Sequence, residues 1–478
     1  MKKYFNLMLA AIIICGASVF SSCANDTSDN PAQEQAKKNR KEFISHTRSM
    51  MKDLAENLNF ESWNAANTLN LYFNQYVLNN KEFDKALSTQ LIEQANASVQ
   101  AVEEGSELAK MGYERQGTID LTQFKYRFAM NADNTGWDVT PTTDGFEMLL
   151  NGYSPITQQI EQGLYKLNIN FSGDTFKQLN HNLSWMMHMA VVMVVPTEVT
   201  FTISNNFSGT WQEDFSGTFK NQFEKRTESD YYSIVNDAWN ITGNIKSNLI
   251  PMSEKGFKGD ETTLNFSLGQ DPKTHQSGIK LDYVHNDKSM VKLRAVGTNL
   301  NGKTDLSFLT NSSSILSIIS AVSHGNSVDE LTLMLNDDLI TNMKVSDCQK
   351  VTEIVAEMNK ARRSYADQQT MAGFADEMNK YITFSMTCKG INQEIPVRIA
   401  TAKVGVDWWV MPALNFADEN GYTPLVDLLD KESLEYGLNI VDHAAEPMQQ
   451  SIIVVRQLMQ YLQTLIGTMQ QQPEQDSH

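Results

Sequence analysis

Apolar side chains recur every three or four residues early in the body of this chain and at every second residue over much of the rest. The pattern predicts helices first and antiparallel sheet second. Trp63, Ala66, Leu69, Phe73 and Tyr76 trace one helix face, and Phe83, Leu87, Leu91, Ala95, Val99 and Val102 trace another. With Asn79-Asn80 as the turn between them, residues 41–111 read as a helical hairpin or three-helix cap. From about Gln116 the period falls to two. Ile119, Leu121, Tyr126, Phe128 and Met130 lead into the turn Asp133-Asn134-Thr135-Gly136, and similar short runs follow to about Leu309. The Gly, Asn and Asp residues between the runs suit hairpins better than crossover helices, so a doubly wound parallel fold is not expected.

The last third alternates element types. A helix is expected over 313–323, strands over 330–344, a helical pair over 349–379, and a meander over 381–388, 395–402 and 406–416. Thr423-Pro424 reads as a helix start, a hydroxyl cap before proline. Met448, Ile452, Val455, Met459, Leu462, Ile466 and Met469 mark a long amphipathic helix near the end, read as packing on its own domain, so no oligomer is required. The fold class expected is α+β, with a β domain under a helical cap over 42–310 and an α+β domain over 311–478. Phe-Ser-Gly begins at Phe171, Phe207 and Phe215, and the three copies read as equivalent strand-to-turn corners.

Ahead of the body stands a different pattern. Lys2 and Lys3 precede an apolar stretch from Leu7 to Phe20, followed by Ser21, Ser22 and Cys23. This is the charged, apolar, then small order of an export leader, and its 14 apolar residues fall short of the roughly 20 that span a bilayer. Phe20-Ser21-Ser22-Cys23 resembles the lipobox of bacterial lipoprotein precursors, with Phe20 where Leu is most frequent. The resemblance covers residues 1–23. It implies cleavage before Cys23, a diacylglyceryl group on that thiol, an acylated amine, and the lipid bilayer as partner. Ala24 after the cysteine, in place of the Asp that retains such proteins at the inner membrane, implies the outer membrane, with the periplasmic or surface face left open. From Ala24 to about Lys41 no large apolar residue occurs, which reads as a solvated tether.

Charge narrows the partners. The 39 Lys+Arg stand against 57 Asp+Glu, and loss of Lys2 and Lys3 with the leader leaves 37 against 57. Such a body repels phosphate, so nucleic acid and polybasic membrane adsorption are excluded as working hypotheses. Cys348 and Cys388 would be the only mature thiols besides Cys23, either joined in one disulfide or held as buried thiols.

Candidate chemistry is sparse. GxGxxG, HExxH, GxSxG and CxxC are absent. Residues 297–304 (GTNLNGKT) satisfy GxxxxGK[ST], but alternation resumes directly afterwards and Asn301-Gly302 reads better as a hairpin turn. Met186, Met187, Met189 and Met193 flank His188 in ligand types that suit Cu(I), although core packing is the simpler reading. The loops at Asn131–Gly136 and Asp418–Gly421 lack the Ca2+ loop spacing, and the histidines are scattered. No metal or cofactor is expected. Trp408-Trp409 in a strand pattern would point to opposite faces, leaving one ring for the core and the other either covered by a helix or open to stack on a sugar or peptide. The leading expectation is a membrane-anchored envelope lipoprotein that binds or scaffolds a glycan, peptide or protein. The alternatives are an envelope hydrolase acting on glycans and a lipid carrier.

Overall fold

In the computed structural model, residues 31–57, 80–154, 156–225, 231–246, 262–271, 276–298, 327–404, 406–416, 421–428 and 436 are described. The class is α+β, and the described residues divide into two compact units, one of 80–246 and one of 31–57 with those from 262 onward. The helix α1 (Pro31–Asn57) therefore belongs with the distal sheet, and the boundary does not fall near residue 310.

Helix α1 also covers Pro31 to Lys41, so that part of the stretch expected as a solvated tether is helical. Ala36, Asn39, Phe43, Thr47, Met50 and Leu54 recur at helical spacing and are all buried. The first turns bury only small or polar side chains, with Gln35 Nε2 donating to Asn39 Oδ1 at 2.8 Å, so the segment carries no hydrophobic signal there. Farther along, Phe43 meets Phe416 edge-on at 5.5 Å between centroids, and Asp53 accepts from Lys288 Nζ at 2.7 Å and Asn336 Nδ2 at 2.6 Å.

The unit of 80–246 opens with α2 (Lys81–Ala97), capped by Asn80, whose Oδ1 accepts from Glu82 N and Phe83 N. Val99 and Val102 lie past its end. The stripe at 63–76 lies outside the described residues. The strands are β1 (Gln100–Ala101), β2 (Arg115–Asp120), β3 (Tyr126–Met130), β4 (Trp137–Pro141), β5 (Phe146–Tyr153), β6 (Ile160–Leu179), β7 (Ala190–Asn205), β8 (Gln212–Lys225) and β9 (Tyr232–Lys246). Short helices α3 (Glu107–Lys110) and α4 (His181–Met187) interrupt them. Neighbouring strands pair antiparallel except β2 with β7 and β3 with β5, which run parallel. Phe83 packs edge-on against Phe128 and Trp137, while Phe124, Phe128 and Phe146 fill the core beneath. At Gly117 a side chain would meet the Ala95 carbonyl oxygen at 2.5 Å, so glycine lets the helix end sit directly on β2.

The strands here are longer than expected, 20 residues in β6 and 16 in β7. The Phe-Ser-Gly copies explain part of this, because they are not equivalent. Gly173 has φ +84° inside a register shift between Ser172 and Thr175, so β6 absorbs a bulge and continues. Gly209, φ +79°, closes the β7–β8 turn. Gly217 lies within β8, where an added Cβ would collide with the Phe201 ring and lie 2.8 Å from Thr242 O. One tripeptide thus serves three different backbone needs.

The second unit is an antiparallel meander of β10 (Thr262–Asp271), β11 (Gln276–His285), β12 (Lys288–Thr298), β13 (Ser327–Leu335), β14 (Leu339–Val345), β15 (Ile382–Cys388), β16 (Ile395–Val404), β17 (Asp407–Leu414) and β18 (Thr423–Pro424). Hairpin turns occupy Asn286-Asp287 and Asn336-Asp337, all four at positive φ. Between β14 and β15 lie α5 (Cys348–Arg363) and α6 (Gln368–Met378), started by Asp347 and Asp367, whose side chains accept from Lys350 N and Thr370 N. Thr423-Pro424 is not the hydroxyl cap of an α-helix: a single 3-10 turn, Leu425–Asp427, follows with Pro424 at its N-cap and no side-chain cap hydrogen bond. Thr423 and Pro424 pair with Leu414 and Ala413, and Pro424 has an extended ψ of 139°, as suits a proline on a sheet edge. Residues 299–326 and 437–478, with the Walker-like match after Thr298, the helix expected at 313–323 and the final amphipathic helix, lie outside the described residues.

Candidate functional site

Strand β17 carries the aromatic pair that the alternation singled out. Its register with β16 sets Trp409 opposite Ala402 and Trp408 opposite Lys403, next to the connection that carries Val406. Both rings are half-buried, so neither is a fully enclosed core residue. Over Trp409 lies the guanidinium of Arg362, 4.2 Å from the ring centroid. Arg362 stands in the last turn of α5, where a cation also meets the negative end of the helix. A planar, weakly hydrated guanidinium stacks on indole better than an ammonium would, and such contacts are worth about 0.5–1 kcal/mol when exposed. The end of α5 thus partly covers Trp409 through this side chain. Tyr365, three residues after Arg362 at φ 55°, and Val406, three before Trp409, are both strongly exposed. Trp409 and Arg362 form a stacked pair, and Tyr365 and Val406 are exposed residues close to them in sequence.

Cys348 and Cys388 are both buried, and no disulfide joins them. Burial pushes the Cys388 thiol up to about 12, helped by the negative charges of Asp338 and Glu42. It stays protonated at physiological pH and is a poor nucleophile.

Sequence reasoning missed the most unusual ionisable group. Asp214 on β8 is 1% exposed, and Asn205 at the end of β7 donates through Nδ2 to both its oxygens, at 2.7 and 2.9 Å. Burial pushes Asp214 up to about 7, the amide bond opposes this, and the charge of neighbouring Glu213 adds to it. The two residues meet because the β7–β8 hairpin, with its register shift at Ile203/Ser204, folds one over the other. An Asn and an Asp nine residues apart across a Ser-Gly turn would have been the only visible hint.

The methionine-rich stretch divides in two. Met189 and Met193 are buried, whereas His188 caps α4 in the left-handed conformation and is exposed, so these side chains do not face one centre. Asn131–Gly136 is the β3–β4 hairpin turn, with Asn131 Oδ1 accepting from Thr135 N and Gly136 N. Among the described residues no group of three or more His, Cys, Asp or Glu is placed to hold a metal ion, and no helix is long and apolar enough to cross a membrane. Cys23 and most of Asp418–Gly421 lie outside the described residues. Comparison of the chain with family models, curated proteins and solved structures gives no match.

Proposed function

We propose that the protein is an envelope lipoprotein of the outer membrane, moored by acylated Cys23, whose body binds a glycan, peptide or protein ligand. The observation that carries this reading is the order Lys2-Lys3, the apolar run Leu7 to Phe20, then Ser21-Ser22-Cys23, ahead of an acidic body. Several acyl chains, each burying methylenes at about 0.8 kcal/mol apiece, hold far better than a single chain does.

Asp214 where it stands does not supply a glycosidase acid. A glycosidase needs two carboxyls flanking an accessible bond. Asp214 is instead enclosed and engaged by Asn205. The Arg362–Trp409 stack with Tyr365 and Val406 is the surface we assign to the ligand. Radiolabelled palmitate fed to producing cells should enter the wild-type chain and not Cys23→Ser, and equal labelling of the two would refute the mooring.

A further inference from the structure

The end of the β7–β8 hairpin closes over a buried carboxyl. Ile203 pairs with Phe215 and Ser204 with Glu213, so Asp214 is the extra residue of a bulge, enclosed together with its partner Asn205. The amide of Asn205 works in two directions: Nδ2 donates to both Asp214 oxygens, and Oδ1 accepts from Phe207 N at 3.2 Å. It thereby ties the carboxyl to the start of the connecting loop. That loop rests on β6 through few contacts. Asn206 N donates to Leu164 O at 3.0 Å, the Phe207 ring meets Tyr165 edge-on at 5.6 Å between centroids, and Lys166 Nζ lies 4.4 Å from the centre of the Trp211 ring. Ser208 to Gln212 face solvent.

Among the described residues no cation pairs with Asp214. Glu213 beside it, which accepts from Ser216 Oγ at 2.9 Å, opposes its ionisation. On β6, Tyr165 stands opposite Asn205, and Lys166, opposite Ser204, is engaged by Trp211. On β9, Lys246 follows Ile245, the residue opposite Phe215. Ionisation in place would leave a buried charge that only an amide contacts, whereas exposing that charge requires parting the loop contacts and not the sheet. We propose that residues 205–214 form a pH-sensitive flap, closed on β6 while Asp214 is neutral and opening more often as Asp214 ionises. Burial raises the closed carboxyl to about 7, and a solvated one returns to its ordinary value near 3.8. Opening therefore becomes more frequent from about pH 4 to about pH 7 and levels off above that. It parts Phe207 from Tyr165 and Trp211 from Lys166, so the aromatic surface that the hairpin end presents follows the pH of its surroundings.

Hydrogen exchange of the whole chain, read by mass spectrometry and corrected for the intrinsic pH dependence of amide exchange, tests the flap. In wild type, protection of the peptide spanning 205–214 should fall roughly a hundredfold from about pH 4.5 to about pH 7.5, while peptides from β3 and β5 hold theirs. In Asp214→Asn the fall should vanish. Glu213→Gln keeps the carboxyl and removes the charge that opposes its ionisation, so the fall should persist but shrink. This second variant judges the flap even where Asp214→Asn fails to fold. Constant protection in wild type, an equal fall in Asp214→Asn, or an unchanged fall in Glu213→Gln overturns the proposal. A fall of the same size in the β3 and β5 peptides also overturns it, by assigning the effect to unfolding of the whole unit.

Discussion

Phe43→Ala is expected to destabilise the unit built on α1 by about 3–5 kcal/mol, the range for emptying a fully buried phenylalanine site. Phe43 is 0% exposed and packs edge-on against Phe416. Phe43→Leu, which keeps most of the volume, should cost less than about half as much. Differential scanning calorimetry checks both. For a unit of this size a loss of several kcal/mol lowers the melting temperature by on the order of 10 °C. A shift of only a degree or two for Phe43→Ala would mean that α1 is a loose extension of the tether and not part of the fold.

The second large effect is expected with pH. Asp214 is raised from its ordinary value near 3.8 to about 7 in the folded chain, so between these values the folded state holds a proton that the unfolded state has released. Its contribution to stability is complete below about pH 4, falls as pH rises, and is gone above about pH 7. At about 1.4 kcal/mol per unit, the swing is on the order of 4 kcal/mol. Asp214→Asn keeps the shape and removes the titration. Relative to wild type, the variant should therefore gain stability from about pH 4 to about pH 7 in urea melts and level off above that. A constant difference across that range would show that the buried carboxyl does not titrate there.

These two sites also mark where sequence patterning succeeds and where it stops. Alternation located the meander because each strand buries one face, as in β13 and β14, and the Asn-Asp turns between strands announce themselves through residues that tolerate positive φ. The helix pair after β14 was legible from its period, and Asp347 and Asp367 supply its caps. The first half of α1 was not legible, because the side chains it buries are Ala36 and Asn39 and the helix is held by contacts with residues more than two hundred positions away, such as Asn336. The same holds for the candidate sites. Trp409 could be marked from β17 alone, but the cation above it comes from α5, and Asp214 meets Asn205 only through a hairpin register set by a bulge. Local period reveals which face is apolar. It carries no record of which polar group a distant strand will bring alongside.

The proposed mooring makes Cys23 the acylated first residue of the mature chain. Mass spectrometry of the N-terminal peptide from the native protein tests it most directly. The expected peptide begins at Cys23, lacks residues 1–22 and carries the mass of a diacylglyceryl group with a further acyl chain on the amine. A peptide that retains Met1, or one with an unmodified Cys23 thiol, would contradict it.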